Sequence, residues 1–363
     1  MEKHQVKGYL LEIVLARLLK VNGYDLVATT STDIVQQGNG LHVKGRGGYH
    51  QFDSLGTFRI TPPFVYPIRL FLEAKFHSKK IGIDRVRMGI GILQDVNTNY
   101  STIQMTIAEL ELPKYNYNYA IFSTSGFTDD AQRLAIAHKI YLMDLSSGYY
   151  SWIKDFINQI VDRLFNLYNV SGESIGKDIV NDFKEQFTTW IDDLNDDSLK
   201  NWIDINYQDS VISEFKNRLK DVGSIYIAST KSSQIIALIP DNDEKFRESL
   251  RENPHQDVTI TWNESENSTW IVSPTVDNGE YRLTFQLPPI IQEYIFNNSV
   301  NQYDSAYDEK RRSFGLLSFI AYLDNKNPTL CTLKFNEEET NALVGQYNHQ
   351  LRLESEHDKT CVN

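Results

Sequence analysis

The stretch Ile68-Arg69-Leu70-Phe71-Leu72-Glu73-Ala74-Lys75-Phe76 constrains the fold of this chain more than any other. It is short and apolar, and Pro67 bounds it, so it reads as a strand. Side chains alternate along a strand. Phe71, Glu73 and Lys75 therefore share one face, and Leu70, Leu72, Ala74 and Phe76 share the other. A carboxylate and an ammonium are costly to bury unless they are paired or hold a metal. A surface ion pair on an edge strand would read the same way, but the apolar flanks favour a buried strand that carries a site. Asp53 follows a glycine-rich stretch and can reach the same edge from the neighbouring strand.

The surrounding pattern supplies a frame for that strand. Leu10, Leu11, Val14, Leu15, Leu18 and Leu19 recur at helical spacing within 7–22, and Asn22-Gly23 offers a left-handed stop. A short strand is expected at 24–29, a glycine-rich loop over 36–50, strands near 56–61 and 68–76, and a helix over 82–95. A buried strand at 117–124 follows. A helix at 127–138 has Thr128 as its N-cap and Asp129 and Asp130 in its first turn. One more strand is expected at 139–145. Strands alternating with helices predict an α/β layer fold.

After residue 150 the character changes. Residues 151–222 read as an acidic helical segment containing Trp152, Trp190 and Trp202. Residues 223–286 are strand-like, 288–298 and 307–323 read as helices, and a strand at 330–334 precedes a helix from residue 337. The expected domains are therefore 1–150, the helical segment 151–222, and an α+β domain over 223–363. The last would be regulatory or partner-binding, with Trp262 and Trp270 able to sense a ligand or a modified base.

Charge follows the same division. The net charge is -12, yet residues 1–150 carry 16 Lys and Arg against 13 Asp and Glu, and the remainder carry 20 against 35. The first part can approach a phosphate backbone; the second is expected to approach one only through a local patch. No apolar run is long enough to span a membrane, and the N-terminal helix pattern, broken by Glu12 and Arg17, is unlike a signal peptide. The two cysteines, Cys331 and Cys361, have no metal-ligand spacing. They fit a reducing cytoplasm and argue against a disulfide framework or a zinc site. Gly172 to Asp178 falls short of a P-loop: the glycine gap is too short, and Asp178 stands where a Ser or Thr belongs. The loop at 38–48 lacks the dinucleotide glycine pattern. Any ATPase or helicase motor would thus be a separate subunit.

Asp53 followed by Glu73-Ala74-Lys75 resembles the PD-(D/E)xK nuclease core. The flanks resemble its Mrr-like restriction endonuclease branch. Gly8-Tyr9-Leu10-Leu11-Glu12 resembles the opening helix, and Gly45 to Asp53 the loop leading to the first acid. Tyr119 to Ala131 followed by Ile140 to Asp144 resembles the later strand–helix–strand. The resemblance covers about residues 7–146, with Phe52 in place of a proline before Asp53. It implies a mixed central sheet flanked by helices, in a cytoplasmic DNA endonuclease of restriction or antiviral defence.

The chemistry suits these residues. Asp53 and Glu73, with Glu12 as a third carboxylate, offer oxygen ligands to Mg2+, for which Mn2+ can substitute. Lys75 can orient a water or stabilise developing charge. His50, Gln51 and Gln94 are candidate supporting residues. Lys44, Arg46, Lys79, Lys80, Arg85 and Arg87 are candidate contacts to nucleic acid, although each can equally be a solvated surface residue. The tyrosines at 115, 117 and 119 can stack on bases but read better as half-buried sheet. Cutting both strands with one site per chain implies a homo-oligomer. The alternatives are a non-catalytic nuclease-fold subunit that binds DNA or scaffolds a defence complex, and an RNA-directed nuclease.

Overall fold

The computed structural model describes residues 1–38, 40–61, 63–99, 115–146, 150–167, 174–192, 214, 217, 224–232, 234–263, 269–275, 281–287, 289–297, 311–324 and 327–336. Trp202 and the helix expected from residue 337 lie outside them. The chain forms two compact units, Met1–Gly223 and Ser224–Asn363. No helix among the described residues is long and apolar enough to cross a membrane.

The first unit opens with α1 (Lys3–Val21), whose leucine face is fully buried. Gly23, at φ 87°, takes the left-handed turn after it. Then come β1 (Tyr24–Leu26), β2 (Ile34–Gln37), β3 (Gly40–Lys44), β4 (Tyr49–Gln51), β5 (Ser54–Phe58) and β6 (Ile68–Lys75). They are followed by α2 (Ile83–Asn97), β7 (Asn116–Ser123), α3 (Asp129–His138) and β8 (Tyr141–Asp144). The main sheet has the order β1-β5-β6-β7-β8. Its β1–β5–β6 half is antiparallel and its β6–β7–β8 half parallel, so it is the mixed sheet expected, flanked by helices. The parallel half needs crossovers, which pass through α2 and α3. Thr128 caps α3 by accepting a hydrogen bond from the Ala131 N–H.

One sequence expectation is corrected here. Residues 36–50 are not a loop but most of a second sheet, β2-β3-β4. Gly38, at φ 56°, makes the tight reversal, and buried Ile34 pairs with buried Val43. Glycines that read as loop are the turns of a short meander.

The helical segment is not set apart from the sheet. Helices α4 (Ser151–Leu167) and α5 (Lys177–Asp192) both pack on α1. The Arg17 guanidinium donates to the Ile191 carbonyl at 2.5 Å, and Lys20 pairs with Asp192 at 2.8 Å. Partners rise together along both helices, so α1 and α5 run in the same direction. Buried Phe183, Phe187 and Trp190 line the inner face of α5. Ending the chain at residue 150 is therefore expected to uncover this apolar surface and yield an aggregating fragment, whereas ending it at 223 leaves a soluble one. Size-exclusion chromatography of both checks this. A monomeric, cooperatively unfolding 1–150 fragment would show that α4 and α5 are dispensable.

The second unit is α+β. Strands β9 (Tyr226–Thr230), β10 (Ile235–Pro240), β11 (His255–Asn263), β12 (Thr269–Pro274), β13 (Leu283–Phe285), β14 (Leu316–Tyr322) and β15 (Pro328–Phe335) close into a barrel, order β10-β13-β12-β11-β15-β14-β9. Helices α6 (Asp243–Glu252) and α7 (Pro289–Asn297) accompany it. Trp270 is wholly buried against Phe285 and Phe314, so it is core and cannot meet a ligand. The helix expected over 307–323 is corrected: Leu316–Tyr322 is a strand paired on both sides, with β15 and β9. A short apolar run carries no period that separates the two.

Candidate active site

The site follows from register. Ser54 pairs with Leu72 in the antiparallel β5–β6 ladder, which sets Asp53, just before β5, beside Glu73. The Asp53 Oδ2 accepts a hydrogen bond from the Ala74 backbone N–H at 2.8 Å. Lys75 Nζ lies 2.7 Å from Glu73 Oε1 and 3.8 Å from Asp53 Oδ2. These side chains are only 15% (Lys75), 13% (Glu73) and 28% (Asp53) exposed, so little water screens them. Burial is the main force raising the Asp53 carboxyl above its ordinary value, with Lys75 and the Ala74 N–H pulling against it and Glu73 adding to it.

Two further residues meet this group. Phe71 pairs with Tyr119 in the parallel β6–β7 ladder, so the Tyr119 hydroxyl reaches the carboxylate two residues on and donates to Glu73 Oε2. Burial first, and then Glu73, keep that hydroxyl protonated. Glu12 comes from α1. Its carboxyl is pushed up to about 7, chiefly by burial and next by the Asp53 carboxylate, against the pull of Lys184 and Lys75. Asp53, Glu73 and Lys75 are thus brought together, and Glu12 is near enough to feel the Asp53 and Lys75 charges without joining them in a three-carboxylate group. Tyr119 had read as plain sheet, and Lys184 lies beyond the stretch that resembled anything.

The raised Glu12 value carries a stability cost with a definite sign. The folded value lies above the reference of 4.5, so the contribution is full below about pH 4.5 and lost as pH rises through about 7. Glu12→Gln mimics the protonated form. It is expected to be more stable than the wild type at pH 8 in EDTA, by up to about 3 kcal/mol, and equal at pH 4.5. Urea denaturation at both pH values checks this; the same difference at both would refute the assigned cause.

Among the described residues no three His, Cys, Asp or Glu side chains are grouped to hold a metal by themselves. The donor set fits an ion of the Mg2+ class nonetheless. Such an ion takes one or two carboxylates and keeps several waters. Asp53 and Glu73 supply the two, and Glu12, raised first by burial and next by Asp53, is a carboxyl that added positive charge would ionise.

The remaining candidates lie apart from these four. His50 Nε2 is 2.7 Å from Asp95 Oδ2, and Asp95 also accepts from the Gly47 N–H, so His50 braces the β3–β4 turn. Gln51 pairs across from His42 on β4, and Gln94 is exposed on α2. None of the three touches Asp53, Glu73 or Lys75 among the contacts of the described residues. Lys44 and Arg46 are exposed around the β3–β4 turn, and Arg87 pairs with Asp84 at 3.1 Å. Lys79, Lys80 and Arg85 share an open depression of about 360 Å³ with His77, just past the end of β6. Burial first, then Lys75 and Arg85, lower the His77 value, as a cationic surface would.

A second buried group went unread in the sequence. Arg69, on β6 at the far end from Glu73, donates to Asp33 Oδ2, to the Tyr117 hydroxyl at 3.1 Å and to Thr57 at 3.2 Å. Its guanidinium lies 3.4 Å from the centroid of the Tyr115 ring. Asp33 precedes β2, so this network ties the small sheet to the large one.

No family model matches the chain, and no curated protein is similar to it. Among solved structures, it is similar to a protein of unknown function, AF1548, at 16% identity over 59% of this chain and 97% of that one, with a TM-score of 0.32. It is also similar to the DNA modification-dependent restriction endonuclease AspBHI, at 12% identity over 52% of this chain and 40% of that one, with a TM-score of 0.23. The chain thus matches less than half the length of AspBHI. Both likenesses are distant, and any chemistry read from the site rests on the convergence of Asp53, Glu73 and Lys75.

Proposed function

We propose that the chain is a metal-dependent endonuclease that hydrolyses DNA phosphodiester bonds, in restriction or anti-phage defence. The observation that carries this reading is the Lys75 ammonium held between Glu73 and Asp53 at neighbouring positions of the sheet, little exposed, with Glu12 on α1 within their electrostatic reach. A structural ion pair needs one carboxylate; two against one lysine leave negative charge over, which a divalent cation and a phosphate chemistry would use.

In this reading Asp53 and Glu73 hold the cation, with Glu12 completing the acidic side. When bound, the ion supplies charge stabilisation at the scissile phosphate and lowers the pKa of a water. Lys75 directs its N–H donors at the charge that develops on the phosphate. The Ala74 N–H fixes Asp53, and the Tyr119 hydroxyl fixes Glu73, so neither carboxylate reorients. Lys79, Lys80 and Arg85 hold the backbone next to the site. A duplex cut on both strands takes a second copy of the chain.

The test is incubation of the purified full chain with plasmid DNA and, separately, with RNA, in Mg2+ or Mn2+ and in EDTA. Metal-dependent nicking or linearisation of the plasmid is expected. Cleavage of RNA alone would move the substrate, and inertness toward both would overturn the reading.

A further inference from the structure

The site has a second cation that comes from outside the stretch resembling a nuclease. Lys184 Nζ, on α5, lies 3.8 Å from the centroid of the Tyr9 ring on α1. Tyr9 and Glu12 are three residues apart on that helix and are therefore neighbours on one face. The parallel packing of α1 and α5, held by Arg17 with Ile191 and Lys20 with Asp192, fixes this placement. The two lysines near Glu12 differ in what engages them. Lys75 is taken up by Glu73 and Asp53. Lys184 is half-buried, and among the described residues its ammonium makes no ion pair or hydrogen bond; it lies over the Tyr9 ring and within electrostatic reach of Glu12. Its three donors have no hydrogen-bonded acceptor among the described residues, Glu12 being a charge neighbour and not a bonded partner. A half-buried cation stacked on an aromatic platform beside an acidic centre has a use if the substrate is itself an anion.

We propose that Lys184 binds a backbone phosphate of the nucleic acid beside the scissile position, from the α1–α5 side, with Tyr9 as the platform that holds it. The proposal rests on the nuclease reading and extends it: the helical segment is part of the substrate site. Lys184 and the depression of Lys79, Lys80 and Arg85 then supply two separate contacts to one strand.

The experiment uses the full chain and Lys184→Met and Lys184→Arg variants, with a duplex DNA oligonucleotide and Ca2+ in place of Mg2+, at several salt concentrations. Lys184→Met is expected to weaken binding about five- to tenfold near 0.1 M salt and to reduce the salt slope by about one. Lys184→Arg is expected to keep both. In cleavage, KM rises more than kcat falls. Unchanged affinity and slope in Lys184→Met would overturn the proposal and leave the lysine as packing on Tyr9; an equal defect in Lys184→Arg would overturn it too, by pointing to shape rather than charge. A wild type that binds DNA with these variant effects but never cuts would sink the nuclease reading alone. A wild type that does not bind DNA would sink both.

Discussion

On the proposed nuclease reading, Glu73→Gln and Lys75→Met are each expected to lower the plasmid cleavage rate by about a hundred- to a thousandfold or more, while the chain stays folded. Glu73→Gln keeps the shape and removes the charge that the ion and Lys75 both use. Asp53 still faces Lys75 after this change, so the ammonium is not stranded. Lys75→Met removes the cation that lies between Asp53 and Glu73, which leaves the two carboxylates repelling each other and, on the proposed reading, the developing phosphate charge without its donor. Tyr119→Phe acts only through Glu73, and a smaller loss, about tenfold, is expected. Single-turnover rates on supercoiled plasmid measure all three, with circular dichroism as the fold control. Cleavage that survives both of the first two substitutions would place the chemistry elsewhere in the chain.

Arg69→Met is expected to destabilise the first unit by about 3–5 kcal/mol, with a fall in its Tm of about 10 °C. The guanidinium is 6% exposed and its partner Asp33 21%. Removing one member leaves a buried carboxylate without its counter-charge. Replacing both, as Arg69→Met with Asp33→Leu, is expected to recover most of the loss, because the cost of burying either charge disappears with it. The pH dependence has a definite sign. Burial acts to raise the Asp33 carboxyl, but the Ser31 hydroxyl, Arg69 and Tyr117 outweigh it, and the net value is lowered. That stability is present above the ordinary carboxylate range and fades as pH falls through the folded value, so the Arg69→Met deficit shrinks in acid. Urea denaturation followed by signals from each unit measures this. A change below about 1 kcal/mol would mean that Arg69 serves packing alone.

The central strand and its two charges were legible because alternation is local: Phe71, Glu73 and Lys75 must share a face whatever the rest of the chain does. Helices α1, α2 and α3 were legible for the same reason, at the helical period. What escaped depends on partners distant in sequence. Tyr119 meets Glu73 only through the parallel register of β6 and β7, and Lys184 meets Tyr9 only through the packing of α5 on α1. Arg69 looked like an ordinary strand residue until Asp33, Tyr115 and Tyr117 were seen around it. His50 read as a neighbour of the acid because it is near in sequence, yet on β4 it is held by Asp95 from α2. The meander at 34–51 was hidden by its glycines, which lie in the two- and four-residue reversals of the chain.

The chain is made from its N-terminus, and the order of synthesis now matters. Helix α1 emerges before the rest of its unit, but its parallel partner α5 ends only at Asp192. Until then the apolar face of α1 lacks one of its covers, and the cation on Tyr9 has not been made. A growing chain on the ribosome therefore holds Glu12, Asp53, Glu73 and Lys75 well before it holds the helix that completes the unit around them. Closing contacts so far apart in sequence is slow. On the proposed reading, the group that would cut nucleic acid is thus finished only after α5 has left the ribosome.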